Sequence, residues 1–175
     1  MYTPYTSFLP YWHRAEFRPE FRPLWATDYA HALEMIKQAV QGERNDELFY
    51  DELIRRAPSK EQKDIIASIR DDERGHNQMF RGMYRALTGQ EVPAAADTPY
   101  VKLHSYTEGL VKALFGELSA VEDYRKIWSG LPAGVYHDTV QGIIMDEQKH
   151  ADKYNYLITL NQTSEASNKA RSFRL

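Results

Sequence analysis

The sequence predicts an all-α fold, a four-helix bundle built from two related helical hairpins joined by one long crossover. Three observations carry that prediction. Apolar residues recur at spacings of three and four along four long segments, and no run alternates as a strand requires. Proline, glycine and capping residues separate those segments by a short, a long and a short connection. The chain also repeats itself. A shift of 74 residues carries Gly42 to Gly116, Glu43 to Glu117, Tyr50 to Tyr124, Pro58 to Pro132, Asp72 to Asp146, Glu73 to Glu147 and His76 to His150. Matches without a gap make each half one hairpin of a common design, and two such hairpins packed face to face make the bundle.

The elements follow in order. Residues 1–25 hold Pro4, Pro10, Pro19 and Pro23 among aromatic residues, so an extended N-terminal arm is expected there and not a helix. The bundle itself is expected over 26–162. A first helix starts near Thr27–Asp28 and runs to about Arg56, where Ala57-Pro58 breaks it. Ser59-Lys60-Glu61-Gln62 reads as a capping box for a second helix, which reaches Thr88 before the left-handed stop offered by Gly89. Residues 89–98 form the crossover, and Thr98-Pro99 is expected to open a third helix to about Ser129. After the turn at 130–134 a fourth helix extends to roughly Leu160, and a polar, frayed tail is expected over 163–175.

Composition narrows the function. The formal net charge of −3 supplies no basic field for nucleic acid or an acidic membrane surface, so neither is an expected partner. Cysteine is absent, which removes disulfides, thiol catalysis and thiolate-bound metal. No stretch approaches the ~20 apolar residues of a spanning helix, and no signal peptide is visible, so a cytoplasmic location is the expectation.

The chemistry lies where a core should be. The inward stripe of the first helix reads Ile36, Val40, Glu43, Glu47, Tyr50, Ile54, and that of the third reads Leu110, Leu114, Glu117, Val121, Tyr124, Trp128. The second reads Ile66, Ile69, Glu73, His76, Phe80, Met83, and the fourth Val140, Ile143, Glu147, His150, Tyr154, Leu157. Each stripe has a glutamate at its middle, and two add a histidine one turn on. Glu43 and Glu73 each lie 15 residues from Pro58, and Glu117 and Glu147 each lie 15 from Pro132. Equal arms of a hairpin bring such residues to one height, about 22 Å from the turn at 1.5 Å per residue. Four carboxylates in a dry core would each cost several kcal/mol. Two divalent cations held by Glu43, Glu73, His76, Glu117, Glu147 and His150 would cancel that charge. Oxygen and imidazole ligands suit iron or manganese and also accept zinc. Metal-bound imidazole usually donates its other N–H to a carboxylate. Asp72 is therefore expected to orient His150, and Asp146 to orient His76. Tyr50 and Tyr124 are placed to reach a carboxylate on the opposite hairpin, or to serve as core aromatics.

The doubled Gly-Glu-x6-Tyr helix and Asp-Glu-x-x-His helix resemble the ferritin-like superfamily, rubrerythrins and bacterioferritins above all. The likeness covers roughly residues 28–160 and is strong over Asp146–Leu157. It implies a di-iron centre in which Glu73 and Glu147 bridge the ions, Glu43 and His76 complete one position, and Glu117 and His150 complete the other. It also implies oxidoreductase chemistry of peroxidase or ferroxidase type on oxygen or peroxide, with Fe(II), an external electron donor and a homodimer as partners. A non-catalytic iron store and a manganese catalase-like enzyme are the alternatives. Arg74 and Gln148 follow the acids where bacterioferritins carry a haem-binding methionine, so no haem is expected. Ala120 stands where rubrerythrins carry a further ligand glutamate, while Asp46 holds the equivalent place in the first half.

Overall fold

The computed structural model describes residues 26–41, 43–93 and 99–172, with the backbone alone at 43, 44 and 164–172. The N-terminal arm expected over 1–25 lies outside the described residues. Among those described, five helices appear: α1 (Tyr29–Gln41), α2 (Glu43–Arg56), α3 (Lys60–Thr88), α4 (Tyr106–Gly130) and α5 (Val135–Ser172). α1 and α2, on either side of Gly42, take the place of the first predicted helix. Both pack against α3 and α4, and α5 packs against the same two, which sets four rods at the corners of a square. None of the described helices is long and apolar enough to cross a membrane.

Local chemistry explains most boundaries. The Asp28 carboxylate accepts from the His31 N–H at 2.8 Å and caps α1. Ser59 does the same for α3, its hydroxyl accepting from the Gln62 N–H at 3.2 Å. Gly89 ends α3 in the left-handed conformation at φ 70°, where a β-carbon would be strained, and its N–H reaches the Arg85 carbonyl.

Three expectations need correction. α4 begins at Tyr106 and not at Pro99, because Ser105 supplies the cap by accepting from the Glu108 N–H at 3.1 Å. The preceding segment is held extended against α2. Glu52 accepts from the Tyr100 hydroxyl at 2.7 Å and from the Leu103 N–H at 3.3 Å, while Arg56 donates to the Leu103 carbonyl at 2.7 Å. α5 does not stop near Leu160. Its backbone stays helical to Ser172, since no glycine or proline interrupts the polar tail. On α2 the inward residue near the end is Leu53, fully buried, with Ile54 only partly so.

The interior is two apolar clusters with a polar layer between them. One contains Leu53, Ile66, Ile69, Leu110, Tyr154 and Leu157, and the other Ile36, Val40, Phe80, Met83, Ile127, Val140 and Ile143. Along α3 the order is Ile66 and Ile69, then Glu73 and His76, then Phe80 and Met83. The buried acids and imidazoles thus lie at mid-height, closed from above and below by hydrocarbon.

Glu52 is itself a buried acid, and its compensation is visible. The Tyr100 hydroxyl, with help from Arg56 and the Leu103 N–H, holds its carboxyl at about 2, below the ordinary value of 4.5, against the opposing effect of burial. A folded-state value below the unfolded one means stabilisation that is complete above about pH 4.5 and lost as pH falls toward 2. Glu52→Ala leaves Tyr100, Arg56 and the Leu103 N–H, together with the more distant Arg55, without their acceptor and should lower unfolding stability by about 2 kcal/mol near pH 7. In chemical unfolding followed by circular dichroism, the gap between Glu52→Ala and wild type should narrow on acidification to pH 3. A gap independent of pH would show that the charge at Glu52 does not hold the crossover.

Candidate metal centre

Each side chain of the polar layer is placed by helical phase. Glu73 and His76 lie one turn apart on α3, Glu147 and His150 one turn apart on α5, and Glu117 faces them from α4. His76, Glu117, Glu147 and His150 are all buried, and Glu73 keeps 21% of its side chain exposed. Glu43 opens α2 and its backbone stands on the fourth rod, but its side chain lies outside the described residues.

The distances show one cluster. Donor atoms of Glu73, Glu117, Glu147 and His150 all lie within 4.8 Å of one another, a spacing that could hold a metal ion. His76 joins through Nδ1, 3.0 Å from Glu147 Oε1 and 3.6 Å from Glu73 Oε1. His150 Nδ1 stands 3.0 Å from Glu73 Oε1, 3.9 Å from Glu147 Oε2 and 3.8 Å from Glu117 Oε2. Glu73 and Glu147 therefore face both histidines, while Glu117 faces His150.

The outer nitrogens look the other way. His150 Nε2 lies 3.0 Å from Asp72 Oδ2, and His76 Nε2 lies 3.3 Å from Asp146 Oδ2. An N–H donated outward to each aspartate leaves the Nδ1 atoms aimed into the cluster. Both Nδ1 atoms, Glu73 Oε1 and Glu147 Oε1 are fully buried and form no well-aligned hydrogen bond, facing one another at 3.0 to 3.6 Å. Buried polar atoms without partners are rare, because each carries a full desolvation cost. Four of them gathered in one layer are what bound cations would satisfy, so the residues present fit a metal.

Protons describe the same compensation. Burial opposes the charge on His76, but the Glu147 and Glu73 carboxylates beside it raise it to about 10. His150, against the same cost of burial, is raised to about 12 by Glu117, Glu147, Glu73 and Asp72. Burial pushes the Glu117 carboxyl up to about 8. Burial also works to raise Glu147, yet the His150 and His76 imidazoles outweigh it and hold the carboxyl at about 2.

Tyr50 donates to Glu117 Oε1 at 3.4 Å, reaching from one hairpin to the other. Tyr124 packs on Phe80 with ring centroids 4.9 Å apart. Burial raises both phenols well above 10, which keeps their protons in place. A cavity of about 390 Å³ runs between α2 and α4 to Glu73, Glu117 and Glu147, and Asp46, Phe49, Gly116 and Ala120 line its walls. Ala120 and Gly116 carry too little side chain to close it. Glu47 pairs with Arg74 and lines a smaller cavity beside Glu73 and His76.

The rubrerythrin family model matches residues 34–158. The chain belongs to the rubrerythrin family. Family and geometry agree in this member, because the matched span holds every residue of the cluster and the repeat that sets their heights. Comparison with the curated proteins and with the solved structures finds no match.

Sequence reasoning passed over two residues beside the site. Lys149 pairs with both Asp72 and Asp146, and only its position three residues after Asp146 hinted at this. The Tyr154 hydroxyl is buried without a partner one turn beyond His150, and no local signal distinguishes it from a core phenylalanine.

Because cations and imidazole protons compete for the same inward nitrogens, metal uptake should expel protons. Calorimetric titration of chelator-stripped protein with a divalent metal at pH 7 should give heats that depend on the buffer's ionisation enthalpy. The apparent affinity should fall as pH is lowered from 8 to 6. Heats that do not change between buffers would show that the imidazoles are neutral before metal arrives.

Proposed function

We propose that the protein holds two iron ions between Glu43, Glu73, His76, Glu117, Glu147 and His150, and uses them in redox chemistry on oxygen or peroxide. The observation that carries this reading is that both buried Nδ1 atoms, without a well-aligned hydrogen bond, face two glutamates that each face both imidazoles. Glu73 and Glu147, each facing both imidazoles, would be shared between the two ions. Glu117 belongs with His150, and the repeat assigns Glu43 to His76.

Two bound iron ions supply electrons and a positive template for a reduced oxygen species. The chain supplies the rest. Asp72 and Asp146 hold the outer imidazole protons, which fixes the tautomer and aims Nδ1 inward. The Tyr50 hydroxyl steadies Glu117. Hydrocarbon on both sides of the layer excludes bulk water, and the cavity between α2 and α4 admits a small substrate. Repeated turnover would draw its electrons from a donor beyond these helices.

The test is anaerobic loading with Fe(II), elemental analysis, and then exposure to oxygen or peroxide with optical detection. Two iron ions per chain and consumption of peroxide or Fe(II) beyond the bound amount are the expected results. Binding without further consumption would reduce the protein to an iron store, and substantially fewer than two ions would refute the di-metal reading. Glu73→Ala should abolish the coupled pair, leaving at most one tightly held ion. Retention of both ions at unchanged affinity would show that Glu73 does not bridge.

A further inference from the structure

Behind the two histidines, on the outer side of α3 and α5, lies a charge arrangement that the repeat does not reproduce. Asp72 and Asp146 are repeat mates, each accepting from a histidine of the other hairpin. Lys149 Nζ lies 2.6 Å from Asp146 Oδ1 and 3.3 Å from Asp72 Oδ2. A single ammonium therefore sits between both aspartates. The repeat mate of Lys149 is Gly75, so there is one such cation and not two.

We propose that Lys149 is a shared positioning residue, a clasp that keeps Asp72 and Asp146 behind His150 and His76 and so sets both imidazoles for metal at once. The inference rests on the di-metal reading above. Its physical basis is repulsion relieved. Asp72 and Asp146 are 39% and 42% exposed, so water competes for their oxygens and their rotamers are not locked by packing. Two carboxylates within reach of one nitrogen repel each other. Without a cation between them, each lowers its energy by swinging outward and releasing its Nε2 proton partner.

The contacts divide unevenly. On Asp146 the lysine takes Oδ1 and leaves Oδ2 to His76, whereas on Asp72 the ammonium and His150 share Oδ2. Lys153, the next basic residue along α5, donates to the Ser68 hydroxyl at 3.0 Å. As a half-exposed ion pair Lys149 contributes little to folding stability. Its effect should appear in metal affinity, where loss of an outer partner typically costs ten- to a hundredfold.

The experiment compares wild type, Lys149→Met, Lys149→Arg and Lys126→Met. Lys126 forms a similar pair with Asp123, three residues away on α4, and controls for surface charge. Chelator-stripped proteins are titrated with Co(II), with visible absorption and calorimetry as readouts. Wild type should bind two Co(II) ions. Lys149→Met should weaken both steps by about tenfold at an unchanged melting temperature of the metal-free protein. Lys149→Arg should restore most of the loss, since a guanidinium can also span two carboxylates. Lys126→Met should match wild type.

Unchanged Co(II) affinity in Lys149→Met, weakening of one step alone, or an equal loss in Lys126→Met would each overturn the shared clasp. In those cases wild type still binds two ions and the di-metal reading stands. Failure of wild type to bind two Co(II) ions would remove that reading and the clasp together.

Discussion

Everything in this bundle is arranged around mutual neutralisation in a layer of buried acids and imidazoles. Isolated carboxylates in hydrocarbon are prohibitively costly, and the protein meets that cost with opposite charge and not with water. Glu147 is 1% exposed and His150 fully buried, so solvent cannot screen them. The apolar clusters on either side serve the layer as much as they serve the fold, because they keep the local dielectric low. Low dielectric strengthens every pairing inside and makes every unpaired atom a demand for a cation.

The duplicated hairpins give this layer a near-symmetric frame, and two departures from symmetry stand beside it. Gly75 opposite Lys149 leaves one ammonium to serve two aspartates. Ala120 opposite Asp46 leaves one wall of the cavity open beside Glu117. A perfect repeat would place either two lysines or none behind the histidines, and either two acids or none at the cavity.

How far the sequence could be read depended on how local each cause was. Ser59 and Gly89 end α3 where expected because each acts through its own backbone and the turn beside it. The start of α4 was misplaced because Thr98-Pro99 satisfies a local rule that a distant residue overrides. Glu52, some fifty residues earlier, binds Tyr100 and Leu103 and keeps the chain extended as far as Ser105. The choice of Leu53 over Ile54 as the buried residue was likewise a matter of helix rotation, which packing decides.

The sequence by itself determined the helical class, the two-hairpin plan and the height of the acids. Periodicity and spacing are properties of a single strand of chain, and a repeat doubles their signal. Only the tertiary structure decided the direction of each imidazole, the distances across the cluster, the two contacts of Lys149 and the cavity between α2 and α4. Those depend on the relative rotation and height of separate helices. A shift of one ångström between them leaves every spacing in the sequence unchanged while it makes or breaks a hydrogen bond.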